Sequence, residues 1–130
     1  MKAILDAGAL IALFNKEDQN HPWAKQMFKR YAGPYFTTEP VLTEVAHMTG
    51  QDALIVEAIR TGKFKIPVSL LVDAASIERA LQAYQDCDLA DASIIALSEK
   101  HAAIKVLTTD VRHFVKYRRT DKSPIPLEIP

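Results

Sequence analysis

Very short apolar runs recur along this chain, each separated from the next by a segment far too long for a hairpin. Ala3-Ile4-Leu5, Tyr35-Phe36-Thr37, Phe64-Lys65-Ile66-Pro67 and Val106-Leu107 each read as a strand. A strand covered on both faces is continuously apolar, whereas one with a wet face alternates. Strands alternating with helical segments imply βαβ units, hence a parallel sheet with helices on both sides. The expected fold is α/β: a three-layer α/β/α arrangement around a central, mainly parallel sheet of four to five strands. Leu127-Glu128-Ile129 supplies the fifth, at the edge.

Ala9–Phe14 reads as a first helix after an Asp6-Ala7-Gly8 turn. Pro22 opens a second, in the first turn where its missing N–H is tolerated, and Trp23, Met27 and Tyr31 then share one face. Thr38-Glu39-Pro40 offers a capping hydroxyl and a proline just inside a third helix that runs to Gly50. Asp52 is expected to cap the next, which carries Ile55 and Ile59 and stops at Gly62. A long helix is expected from about residue 70 to 85, with Ala74, Ile77, Leu81 and Tyr84 on one face. Asp88-Leu89-Ala90-Asp91 opens another, with Ile94, Leu97 and His101 inward. No repeat, low-complexity stretch or long linker divides the chain, so 1–130 is expected to form a single domain.

Basic and acidic residues balance at 16 each, so the whole molecule has no net charge with which to trap nucleic acid. Local charge is uneven. Five acids face one base between Asp73 and Asp91, and five bases face one acid between Arg112 and Lys122. An acidic hollow beside a basic rim suits a metal flanked by phosphate-binding groups; a solvated helix face and a solvated tail explain the same pattern without function. No apolar stretch approaches the roughly 18–20 residues of a membrane span. The N-terminus lacks a secretory pattern, and the single cysteine, Cys87, cannot form an intrachain disulfide. Both fit a cytoplasmic protein.

Asp6 and Asp110 each end a strand, while Glu44 and Asp91 lie near the starts of two helices. In a parallel sheet, ligands gather beyond the carboxyl ends of strands near the switch in strand order. These acids are therefore aimed at one place. Carboxylates that meet repel unless a cation lies between them, and hard oxygen donors select Mg²⁺ or Mn²⁺ over zinc or copper. Each acid also has a purely structural explanation. Asp6 and Asp110 are placed as helix caps, Glu44 lies at the margin of its helix's apolar stripe, and Asp88 with Asp91 fits a capping box. Of that pair Asp88 is expected to be mainly the cap. Asp91 is the better ligand, because the helical turn projects it inward with Ala90 and Ile94.

Other chemistries have less support. Glu44-Val45-Ala46-His47 has di-iron spacing but no second copy. His21, His47, His101 and His113 lack zinc spacing, the isolated glycines make no phosphate-binding loop, and Cys87 is expected to pack. Thr43 and Thr109 are candidates for orienting carboxylates or waters.

Leu5–Leu13 (LDAGALIAL), Thr37–Val45 (TTEPVLTEV), Asp88–Leu97 (DLADASIIAL) and Val106–Phe114 (VLTTDVRHF) resemble, in order, the acidic segments of the PIN domain family. The pattern is most similar to the VapC-type toxins of prokaryotic toxin–antitoxin pairs, and it spans nearly the whole chain. The resemblance implies a fold similar to flap nucleases. It implies Asp6, Glu44, Asp91 and Asp110 as the catalytic, metal-holding acids for one or two Mg²⁺ or Mn²⁺; Asp88 and Thr109 are supporting candidates from their positions beside Asp91 and Asp110. The implied activity is endoribonucleolytic: a metal-activated water hydrolyses RNA phosphodiester bonds, leaving 3′-hydroxyl and 5′-phosphate ends. A homodimer and a cognate antitoxin partner are implied as well.

There are two departures from the family pattern. The short stretch Tyr84–Asp88 leaves open whether Asp86 or Asp88 reaches the site, and Asn15 stands where relatives often have an acid. Arg112, Lys116, Arg118 and Arg119 are candidates for RNA phosphate contacts that position without reading sequence. Trp23, Met27 and Phe28 offer an apolar patch for an antitoxin or a second subunit, and core packing explains them equally well.

Two rival readings have different signatures. A phosphatase or phosphotransfer domain on a doubly wound sheet would also place aspartates at strand ends, but Asp6 lacks an Asp-x-Asp neighbour. A PIN-like module that binds RNA or protein without catalysis would normally lack one of the acids, and all are present.

Overall fold

The first strand, β1 (Ala3–Leu5), is buried along its whole length, which is why it carries no polar residue. It is the centre of a five-stranded sheet in the computed structural model, which describes residues 1–130. The other strands are β2 (Tyr35–Phe36), β3 (Phe64–Lys65), β4 (Val106–Leu107) and β5 (Leu127–Glu128), in the order β3-β2-β1-β4-β5. Every neighbouring pair is parallel, so the sheet is wholly rather than mainly parallel.

The helices are α1 (Ala7–Phe14), α2 (His21–Arg30), α3 (Glu39–Thr49), α4 (Asp52–Arg60), α5 (Ala74–Ala83), α6 (Leu89–Lys100) and a single turn, α7 (Val111–Phe114). The chain starts at the centre, steps outward through β2 to β3, and then returns past β1 to β4 and β5. With this strand order, the right-handed rule for parallel crossovers assigns α1–α4 to one face and α5–α7 to the other. Packing agrees, with α1 against α2 and α3, and α5 against α6. The reversal of direction opens a crevice between the carboxyl ends of β1 and β4. There the Asp6 N–H donates to the Leu107 carbonyl at 3.1 Å.

Several elements differ from expectation. No separate Asp6-Ala7-Gly8 turn exists: α1 begins at Ala7 with Asp6 as its extended N-cap (φ −85°, ψ 163°). Gly8 thus lies inside the first turn, where an added Cβ would overlap the Thr109 hydroxyl. Gln51, not Asp52, occupies the N-cap position of α4, without a side-chain capping bond; Asp52 is its first residue, an acid well placed for the helix dipole. The helix expected over 70–85 is shorter. The Asp73 side chain accepts the Ser69 N–H at 2.9 Å and pairs with Lys100 at 3.0 Å, turning the chain before Ala74. At its far end Tyr84 is the C-cap. Leu81, expected on the apolar face of this helix, is exposed. Met27 is core, and Trp23 and Phe28 pack half-buried against it.

The Thr38 hydroxyl caps α3 as expected, accepting the Val41 N–H. It also lies 2.7 Å from the Ser93 hydroxyl, tying the start of α3 to α6. That helix is buried continuously from Ala92 to Ser98, and a helix apolar on all sides belongs in the core. Its small residues let α3 and α6 pack against each other.

Candidate active site

Asp6 is the one charged side chain in the buried set, only 6% exposed. Thr108, at the end of β4, donates its hydroxyl to Asp6 Oδ2 at 2.7 Å and accepts the Asp110 N–H at 3.0 Å. Burial pushes the Asp6 carboxyl up to about 6. The Thr108 hydroxyl and the Ala7 N–H oppose that rise, and the charges of Glu44 and Asp110 add to it.

Asp91, one turn into α6, is half-buried and pushed up to about 7. Burial is the main cause, and the charges of Asp88, Asp6 and Asp110 reinforce it. The Tyr117 hydroxyl donates to Asp91 Oδ2 at 2.7 Å and opposes the shift. Glu44, on the second turn of α3, has an open surface, yet partial desolvation and the Asp88 charge still raise its carboxyl. Asp110 caps α7: its Oδ1 accepts the His113 N–H at 3.2 Å and lies 2.9 Å from the imidazole Nδ1.

The distant acids are therefore electrostatic neighbours. Asp6 is coupled to Glu44 and Asp110, Asp91 to Asp6, Asp88 and Asp110, and Glu44 to Asp88. No lysine or arginine forms an ion pair with any of these acids; Asp110 has only His113. An all-oxygen, uncompensated donor set at a switch point fits a hard divalent cation. No three of the chain's acidic, histidine or cysteine side chains lie close enough to close directly on one ion. A divalent ion that keeps several waters suits such an open arrangement better than a fully protein-ligated one.

The supporting residues are not all the expected ones. Asp88 is the N-cap of α6, its Oδ1 accepting the Asp91 N–H at 2.8 Å, and Asp86 is exposed. Thr108 rather than Thr109 holds the buried carboxylate, because successive side chains along a strand point to opposite faces. Thr109 instead covers Gly8, and Thr43 turns back to the Glu39 carbonyl. Tyr117 was not legible as a site residue: it lies 26 residues beyond Asp91, in the stretch read for its positive charge. The two threonines before Asp110 were a visible signal, though not for which one bonds.

The basic stretch divides. Arg119 is engaged within the fold, its guanidinium donating to Ser98 Oγ at 2.8 Å and to the Ala102 carbonyl at 2.6 Å. Arg118 donates to the Val115 and Tyr117 carbonyls, both at 2.9 Å. Arg112 and Lys116 are exposed and form no ion pair. A cavity of about 630 Å³ lies elsewhere, lined by Leu10, Phe14, Phe28, Tyr35, Leu54 and Phe64 among others, and none of the four acids borders it.

A family model described as PIN domain matches residues 3–120, which takes in all four acids. The chain belongs to the PIN domain family. A solved structure with the same PIN architecture is that of Mycobacterium tuberculosis VapC20, described as a sarcin-ricin loop cleaving toxin. It superimposes with a TM-score of 0.63 at 20% identity, over 80% of this chain and 86% of that one. At that identity the likeness establishes the fold. No curated protein matches in sequence. The PIN match ends before β5, the edge strand that closes this sheet. No helix of this PIN domain is long and apolar enough to cross a membrane.

Proposed function

We propose that this PIN domain, as one unit over residues 1–130, is a Mg²⁺- or Mn²⁺-dependent endoribonuclease and the toxin of a toxin–antitoxin pair. The observation that carries this reading is the group of acids around one crevice with no basic side chain to balance them. A divalent cation there supplies Lewis acidity toward a phosphate oxygen and an acidified water as nucleophile.

The residues divide the work by position. Asp6, anchored at the floor by Thr108, and Asp91, anchored by Tyr117, present fixed oxygens to the cation. Glu44, open to solvent on α3, and Asp110, at the mouth of β4, complete the negative field and orient water. Arg112 and Lys116, free on the α7 side, would hold the RNA backbone by charge alone. Substrate RNA, a cognate antitoxin, a homodimeric state and a cytoplasmic setting follow from likeness to VapC-type toxins and belong to this same proposal.

Purified protein should cut RNA with Mg²⁺ or Mn²⁺, leave 3′-hydroxyl and 5′-phosphate ends, and stop with EDTA. Asp6→Asn should abolish cleavage while keeping its circular dichroism spectrum. Undiminished cutting in EDTA, or by that variant, would overturn the reading.

A further inference from the structure

We infer that Tyr117 is a positioning residue for the cation site, and that the segment around it is a strap holding α6 and its carboxylate in register. This rests on the metal-dependent reading above. Tyr117 is 2% exposed, and its hydroxyl reaches Asp91 Oδ2 at 2.7 Å. Its ring is fixed edge-on between Tyr84 and Phe114, with centroids 5.0 and 5.1 Å away. A donor on a ring so confined can approach the carboxylate from only one direction.

The following residues fasten the strap along α6. The Arg118 N–H donates to the Tyr84 hydroxyl at 2.8 Å, and Arg119 grips Ser98 and Ala102. Thr120 donates its N–H to Glu99 at 2.6 Å and its hydroxyl at 2.7 Å, while Arg79 holds the same carboxylate at 2.9 Å. Every hydrogen-bonding group of this basic stretch that touches α6 serves its placement. Tyr117 donates to one oxygen of Asp91 and leaves the other available. Partners of this kind, which orient a ligand from behind, commonly change metal affinity by about 10–100-fold.

Tyr117→Phe keeps the ring and its packing and removes only the donor. Manganese binding, measured by calorimetry or electron paramagnetic resonance at a temperature where the variant is folded, should weaken by about tenfold. Tyr31→Phe, which removes a hydroxyl bonded to Glu128 and touching neither Asp91 nor the strap, should bind Mn²⁺ as the parent does. Equal affinity in Tyr117→Phe and the parent, or equal weakening in both variants, overturns the proposal. Absence of Mn²⁺ binding by the parent protein would instead overturn the metal-site reading. The unaltered protein offers a second readout: the Tyr117 hydroxyl proton should shift in NMR spectra on Mg²⁺ titration. A resonance that Mg²⁺ leaves in place counts against the inference even if the variant does not fold.

Discussion

Thr108 donates its hydroxyl to Asp6 Oδ2 at 2.7 Å, joining the carboxyl ends of the two strands that flank the crevice. The Thr108 hydroxyl oxygen in turn accepts the Asp110 N–H at 3.0 Å, so one fully buried hydroxyl orients two of the acids. Thr108→Val preserves shape and leaves both groups unpaired. It should cost about 2 kcal/mol in urea unfolding and lower RNA cleavage by roughly tenfold or more. Thr108→Ser should recover most of both. A Val variant with parental stability and rate would show that this bond positions nothing.

The raised carboxyls of Asp6 and Asp91 tie stability to pH. Both move from the ordinary 3.8, to about 6 and about 7, chiefly through burial. Between about pH 5 and pH 7, above the range where the lowered carboxyls of Asp73, Glu99, Asp121 and Glu128 titrate, Asp6 and Asp91 bind more protons in the folded state than in the unfolded chain, so stability of the metal-free protein falls as pH rises. The loss is on the order of 2–3 kcal/mol, most of it from Asp6 because Asp91 is partly screened by solvent. Mn²⁺ competes with those protons, so its stabilising effect should grow over the same interval. Thermal melts at several pH values with and without Mn²⁺ check both slopes. A metal-free protein that gains stability across this range would contradict the burial of Asp6.

Gly8→Ala inverts a common rule. In an ordinary helix the change stabilises by about 1 kcal/mol. Here the new methyl would meet the Thr109 side chain where α1 abuts the end of β4. The variant should lose about 1–3 kcal/mol, and adding Thr109→Ala should restore part of it. Denaturant midpoints of the single and double variants measure the coupling.

The basic stretch should separate into two classes under mutation. Arg119→Ala leaves Ser98 and the Ala102 carbonyl without their donor and should destabilise by about 1–3 kcal/mol. Arg112→Ala and Lys116→Ala should leave the melting temperature alone and weaken RNA binding. Each of the two should also reduce the salt dependence of binding, by roughly one unit of log–log slope. Filter binding over a salt series, beside thermal melts, distinguishes them.

The layered α/β architecture was readable because its signals are local. An uninterrupted Ala3-Ile4-Leu5, a Thr38-Glu39-Pro40 helix start and an Asp88 cap depend on neighbours a few residues away. The four acids were readable for the same reason, since each sits at a strand end or near a helix start. Boundaries set by distant partners were not. The 70–85 helix starts late because Asp73 is drawn to Lys100 on another helix, and nothing around Asp73 announces that partner.

Sequence by itself determined the order of strands and helices and the positions from which carboxylates could converge, because backbone preference and apolar periodicity act over a few residues. Tertiary structure alone decided which groups hold those carboxylates. The pleat of β4 selects Thr108 over Thr109 for Asp6, and the return of the chain over α6 brings Tyr117 to Asp91. It also turned Arg119 from an apparent rim charge into a clamp, since its donors are spent on Ser98 and Ala102. Charge is a property of composition, while availability to a ligand depends on what the fold has already bonded.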